Sequence, residues 1–192
     1  MLTGRTLGLV GVGNIGAEVF RLAMPFEMKH IAYDPFAKSE TLKGLGVELV
    51  SSLDEVMRRS DFVSINCPLG ATTRGLIGPR EFGLMKKTAF IINTARGSII
   101  QEKALYEALR SGAIAGAGLD VFEVEPTPRD NPILGLDNVV VTPHGLCYTD
   151  ECFTGIARNT FGAVRALADG LVPKYVVDPD VLTHPALAGL QR

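Results

Sequence analysis

Thr6-Leu7-Gly8-Leu9-Val10-Gly11-Val12-Gly13-Asn14-Ile15-Gly16 is the stretch from which the fold is read. A short apolar run ends in glycines spaced G-x-G-x-x-G, and a helix-compatible segment opens at Ile15. Between a strand and a helix that spacing has a physical use: Gly11 permits a tight turn, Gly13 lets backbone approach a pyrophosphate, and Gly16 lets helix and strand pack closely. The amides of Asn14 and Ile15 then face phosphate from the positive end of the helix dipole. The same spacing occurs in purely structural turns, but its place between strand and helix favours dinucleotide binding. Asp34 ends the next strand candidate, 18 positions after Gly16, close to the spacing of about 20 expected for an acid that binds the adenosine ribose. A carboxylate there accepts from the ribose hydroxyls and repels a 2′-phosphate, so NAD is expected rather than NADP. A strand-ending Asp before the turn-forming Pro35 is the plainer alternative.

Outward from this unit, apolar runs and helical segments alternate. Strands are expected at 6–10, 30–33, 47–50, 62–66, 89–93, 115–120 and 139–142. Helices are expected at 15–24, 39–45, 53–59, 80–85 and 102–110, and a long one at 150–169 with Thr149 or Asp150 as its cap. Continuous apolar runs such as Phe90-Ile91-Ile92 are those of strands covered on both faces. The alternation argues for an α/β fold, a doubly wound parallel sheet of the Rossmann type. We expect one domain over 1–171 and a tail over 172–192 with weak periodicity.

Composition narrows the function class. With 192 residues, 46% hydrophobic, 21% charged and a formal charge of −2, there is no electrostatic reason to expect nucleic acid or an anionic membrane as partner. The apolar runs are too short to span a bilayer, and the start shows no signal-peptide core. Cys67, Cys147 and Cys152 form neither a disulfide framework nor a metal-ligand spacing. A reducing cytoplasm and no metal are the expectations.

The chain resembles the D-isomer-specific 2-hydroxyacid dehydrogenases, a family that includes phosphoglycerate, glycerate and D-lactate dehydrogenases. The likeness rests on the glycine stretch above, Asn66-Cys67-Pro68-Leu69, Ile92-Asn93-Thr94-Ala95-Arg96-Gly97, Gly118-Leu119-Asp120-Val121-Phe122-Glu123-Val124-Glu125-Pro126 and Val141-Thr142-Pro143-His144-Gly145, in that order. It implies a cofactor site lined by Pro68, Thr73, Thr94 and Asp120, with Cys67 and Ala95 beside them and Asp120 holding the nicotinamide carboxamide. It also implies a homodimer joined through the coenzyme domains.

The resemblance places a catalytic trio, Arg96, Glu125 and His144, whose chemistry can be argued separately. Reduction of a 2-oxo acid needs a cation for the carboxylate and a proton donor for the developing alkoxide, with hydride from the cofactor. Arg96 has the planar fork that suits a carboxylate. His144 has a side chain that gives and takes protons near neutrality. Glu125 would hold and orient the imidazole. Arg96 and His144 thereby also border the cofactor. His30 and His184 match no motif and are read as structural. Nothing near Cys147 and Cys152 argues for an activated thiolate.

The chain departs from the family in having Gly145-Leu146-Cys147-Tyr148 where an Ile-Gly-Gly type stretch is usual, which puts substrate preference in doubt. Only a few residues precede the first strand, where the family carries much of a substrate domain. The segment Val176-Val177-Asp178-Pro179 resembles the return to that domain. The expectation is a fragment that binds NAD and turns over a small 2-hydroxy or 2-oxo acid poorly or not at all. Two other readings stay open: an NAD-sensing dimerisation module like the family-related corepressors, and a formate dehydrogenase-like enzyme, against which Glu125 counts because such enzymes typically carry Gln there.

Overall fold

A computed structural model describes residues 1–187 and 189–191. The strands are β1 (Thr6–Val10), β2 (Lys29–Tyr33), β3 (Val47–Leu49), β4 (Phe62–Ile65), β5 (Phe90–Asn93), β6 (Gly116–Leu119) and β7 (Val139–Val141). They form one sheet in the order β3-β2-β1-β4-β5-β6-β7, every neighbouring pair parallel. The order reverses at β1 and β4, and ligands of open α/β sheets bind outside the carboxyl ends of the strands at that switch point.

Side chains alternate across the pleat. Leu7 and Leu9 of β1 join Phe20 and Ala23 of α1 (Asn14–Ala23) in one cluster, while Val10 joins the larger one. That larger cluster takes Val56 and Met57 from α2 (Leu53–Arg59), Phe82 from α3 (Pro79–Phe82), and Leu105 and Ala108 from α4 (Glu102–Arg110). The sheet is therefore wound on both faces. His30 is buried against Phe20, ring centroids 4.8 Å apart, with its Nδ1 3.3 Å from the Leu45 carbonyl oxygen, a core position.

Several expectations are corrected. Phe90 opens β5 at 41% exposure instead of being covered; it lies in register with Leu7 and Phe62, stacked on Phe62 at a centroid distance of 5.8 Å. The helix expected at 39–45 is a single 3-10 turn, Ser39–Leu42, because Gly44 and Gly46 both take positive φ and end it. The helix expected at 80–85 is α3, which starts on Pro79 as first residue and stops before Gly83.

By packing the chain divides into two compact units, Met1–His144 and Gly145–Arg192, rather than at the 171/172 boundary read from the sequence. The long helix α5 (Asp150–Ala168) thus falls in the second unit, and none of its residues is buried. Thr149 caps it, its hydroxyl oxygen accepting from the Cys152 amide at 3.2 Å. Among its described residues the tail holds two 3-10 turns, Pro179–Thr183 and Pro185–Leu187.

Candidate active site

Because the strands are parallel, all their carboxyl ends meet one edge, and the loops after β1, β2, β4, β5, β6 and β7 carry every candidate residue there. After β1, Gly11 has φ +92°, and a Cβ on it would lie 2.6 Å from the Cys67 backbone nitrogen. No side chain but hydrogen fits this turn. A Cβ on Gly16 would lie 2.7 Å from the Gly11 carbonyl oxygen, so helix and loop touch there. A Cβ on Gly13 would meet nothing within 4 Å. That open side fits a phosphate. No side chain caps the first turn of α1 and no acidic residue sits in it, whereas α2, α3, α4 and α5 each carry one or two acids there. The positive end of the α1 dipole is left for an external anion. Ile15, 71% exposed, and Asn14 stand beside it.

Asp34 follows β2 and reaches back to this loop. Its Oδ2 accepts from the Val12 amide at 2.8 Å and its Oδ1 from the Phe36 amide at 2.8 Å. The carboxylate thus braces the glycine turn, and each oxygen keeps a further lone pair for a ribose hydroxyl. After β4, Cys67 is buried, and burial together with the Asp34 charge pushes its thiol up. Pro68 is exposed beside it, and the Thr73 hydroxyl donates to the Pro68 carbonyl at 2.6 Å while accepting from the Gly70 amide at 2.8 Å. Thr73 is a loop brace in this geometry.

After β5 the loop Thr94-Ala95-Arg96 is clamped by a residue the sequence reading passed over. Asn93, 1% exposed, donates from Nδ2 to the Arg96 carbonyl and accepts on Oδ1 from the Ala95 amide, both at 3.0 Å. The next residue, Gly97, presses on the loop after β6: a Cβ there would lie 1.9 Å from the Phe122 carbonyl carbon. After β6, Asp120 is buried, and its Oδ1 accepts from the Thr142 hydroxyl at 2.6 Å. Thr142 is the second residue missed. A polar side chain closing a strand at this edge was the available signal for both.

Glu125 and His144 come together. Glu125 Oε2 lies 2.6 Å from His144 Nδ1, and Oε1 accepts from the Phe122 amide at 2.9 Å. Burial alone would push the Glu125 carboxyl up. The His144 hydrogen bond, the Phe122 amide and the charges of His144 and Arg96 outweigh it and hold the group below its usual range. An ionised acceptor at Nδ1 assigns the proton to that nitrogen and leaves Nε2 as the ring's other polar atom. His144 takes φ +54°, a left-handed conformation uncommon outside glycine, which aims the ring from the end of the Thr142-Pro143 segment. A cavity of about 660 Å³ opens beside the pair, lined by Asp120, Phe122, Leu134, Val141 and Thr142 among others.

Arg96 departs from expectation. Its Nη1 donates to the Ala95 carbonyl at 2.6 Å, folding the guanidinium onto its own loop. It is close enough to lower the Glu125 carboxyl but is not among the residues lining the cavity.

A glycine cradle at the switch point and an acid behind it define a dinucleotide-binding α/β domain, with a carboxylate–imidazole pair on the same sheet edge. Residues 1–145 match the family model for the D-isomer specific 2-hydroxyacid dehydrogenase NAD binding domain. The chain belongs to that family. It is 51% identical over 190 residues to a D-3-phosphoglycerate dehydrogenase of Methanocaldococcus jannaschii, covering 99% of this chain and 36% of that protein. It is 44% identical over 179 residues to a glyoxylate reductase of Korarchaeum cryptofilum, covering 93% and 54%. Among solved structures, the NAD-complexed D-isomer specific 2-hydroxyacid dehydrogenase of Lactobacillus delbrueckii ssp. bulgaricus aligns with a TM-score of 0.84 at 33% identity, over 90% of this chain and 56% of that one. The chain thus spans 36% to 56% of the length of these relatives.

Proposed function

We propose that this chain is the coenzyme half of a D-2-hydroxyacid dehydrogenase that uses NAD and interconverts a small 2-hydroxy acid and its 2-oxo acid. The observation that carries the proposal is the 2.6 Å Glu125–His144 contact at the sheet edge that also holds the glycine cradle. Gly11, Gly13, Asn14, Ile15 and Gly16 would hold the pyrophosphate and Asp34 the adenosine ribose; Cys67, Pro68, Thr73, Thr94 and Ala95 would line the cofactor site, with Asp120 on the nicotinamide carboxamide. When bound, NADH supplies the hydride. His144 Nε2 gives its proton to the forming alkoxide oxygen, and Glu125 stabilises the positive ring before the transfer and keeps Nδ1 protonated throughout. Arg96, swung from the Ala95 carbonyl toward the cavity, pairs with the substrate carboxylate. The names of the similar proteins, phosphoglycerate dehydrogenase and glyoxylate reductase, support a small 2-oxo acid as the substrate class.

Incubating the chain with C4-deuterated NADH and hydroxypyruvate or glyoxylate is expected to place deuterium on C2 of the 2-hydroxy acid product, with D configuration from hydroxypyruvate. Tightly bound NADH with no deuterium in any product, even when this domain is joined to a substrate domain, would favour the NAD-sensing reading instead.

The proposal includes a homodimer. Phe153, Ile156, Phe161 and Val164 make an exposed apolar stripe on α5, and a stripe of that size is normally covered. Sedimentation should show a concentration-dependent dimer; monomer alone across a wide range would count against it.

A further inference from the structure

Two thiols stand apart from the groups assigned above. Cys147 is exposed, Cys152 is partly buried, and both are free. They lie within the Gly145–Arg192 unit, where the cap of α5 folds them together. The Thr149 amide donates to the Cys147 carbonyl at 2.8 Å, while the Thr149 hydroxyl oxygen accepts from the Cys152 amide at 3.2 Å. The two thiols thus sit in one cap, near enough for the Cys147 sulfur to act on the Cys152 thiol. The residues that follow each cysteine repeat the tie, the Tyr148 and Phe153 rings packing at a centroid distance of 5.5 Å.

We propose that Cys147 and Cys152 are a reversible redox dithiol, converted by a small-molecule disulfide into an intramolecular Cys147–Cys152 bond. The Cys147 thiolate, exposed to solvent, attacks one sulfur of the small disulfide, forming a mixed disulfide and expelling one thiolate. Cys152 then loses its proton to water and attacks the Cys147 sulfur, expelling the second. Two cysteine thiols are oxidised and one small disulfide is reduced to two thiols. The order follows from the surroundings, since burial and the Cys147 neighbour push the Cys152 thiol up and keep it protonated until Cys147 has reacted. Cys67 is shielded by burial and takes no part. The bond closes a ring over residues 147–152 and staples the first turn of α5 to the residues before its cap.

The test is equilibration of the reduced chain in equimolar reduced and oxidised glutathione, then acid quench, alkylation under denaturing conditions and peptide mass spectrometry. The expected product is lighter by two hydrogens, with Cys147 and Cys152 protected, Cys67 alkylated, and full reversal by dithiothreitol. Cys147→Ser and Cys152→Ser should each abolish the intramolecular bond, and Cys152→Ser should trap glutathione on Cys147. A wild-type chain that keeps both thiols, holds a stable glutathione adduct on Cys147, or links to a second chain under the same conditions overturns the proposal.

Discussion

A Gly97→Ala chain is expected to lose about 3 kcal/mol or more of stability, the upper end of what overpacking costs. The added methyl would stand 1.9 Å from the Phe122 carbonyl carbon, 2.0 Å from its oxygen and 2.5 Å from the Glu123 nitrogen. All three atoms are backbone, so no rotamer change relieves the overlap. The loop after β5 must move away from the loop after β6, carrying Arg96 away from Glu125. Urea unfolding should show a much lower midpoint with an unchanged slope. A change within about 0.5 kcal/mol, the usual range for a surface substitution, would mean that these loops do not touch as described.

His144→Gln should cut hydride transfer by about 10²- to 10⁴-fold, the usual worth of a positioned acid–base group. NADH affinity should change little, because in the proposed mechanism His144 acts on the substrate and the glycine turn holds the pyrophosphate. Glu125→Gln should cost less, since the proton donor remains and only its partner charge goes. The carboxyl of Glu125 is held below its usual range, so its contribution is complete above that range and fades only as pH falls through the lowered value. An acid limb due to Glu125 therefore belongs below about pH 4.3, the ordinary glutamate value. A His144→Gln chain with unaltered transfer would remove the imidazole from the chemistry, and single-turnover kinetics with a 2-oxo acid would reveal it.

Much of this was legible in the sequence. The glycine spacing located β1, the turn and α1 because each glycine answers a separate steric need, and the structure places the three in three different surroundings. The helices at 53–59 and 102–110 matched because their apolar faces repeat at helical spacing over enough residues. The pairing of Glu125 with His144 followed from parallel strands ending at one edge.

What escaped depends on side-chain direction and on contacts distant in sequence. Arg96 lies in the expected loop, yet its long chain turns back on Ala95, a rotamer choice no motif encodes. The brace that Asp34 supplies to Val12 spans 22 positions, and a residue suited to ribose recognition looks the same in sequence whether or not it also holds a turn. Asn93 and Thr142 stand within motifs without roles, because their partners are backbone and a buried carboxylate just past another strand. Phe90 reads as core by its type, and only the sheet register puts it on a half-covered face.

Cofactor choice tests the Asp34 edge most directly, and calorimetric titration of this chain with NAD⁺ and NADP⁺ measures it. The Asp34 carboxylate, already fixed by two amides, can accept from a ribose hydroxyl but repels a 2′-phosphate. NAD⁺ is predicted to bind at least about tenfold more tightly, about 1.4 kcal/mol, and Asp34→Ala should narrow the gap. Equal affinities, or tighter binding of NADP⁺, would contradict the assignment of this edge as an NAD site.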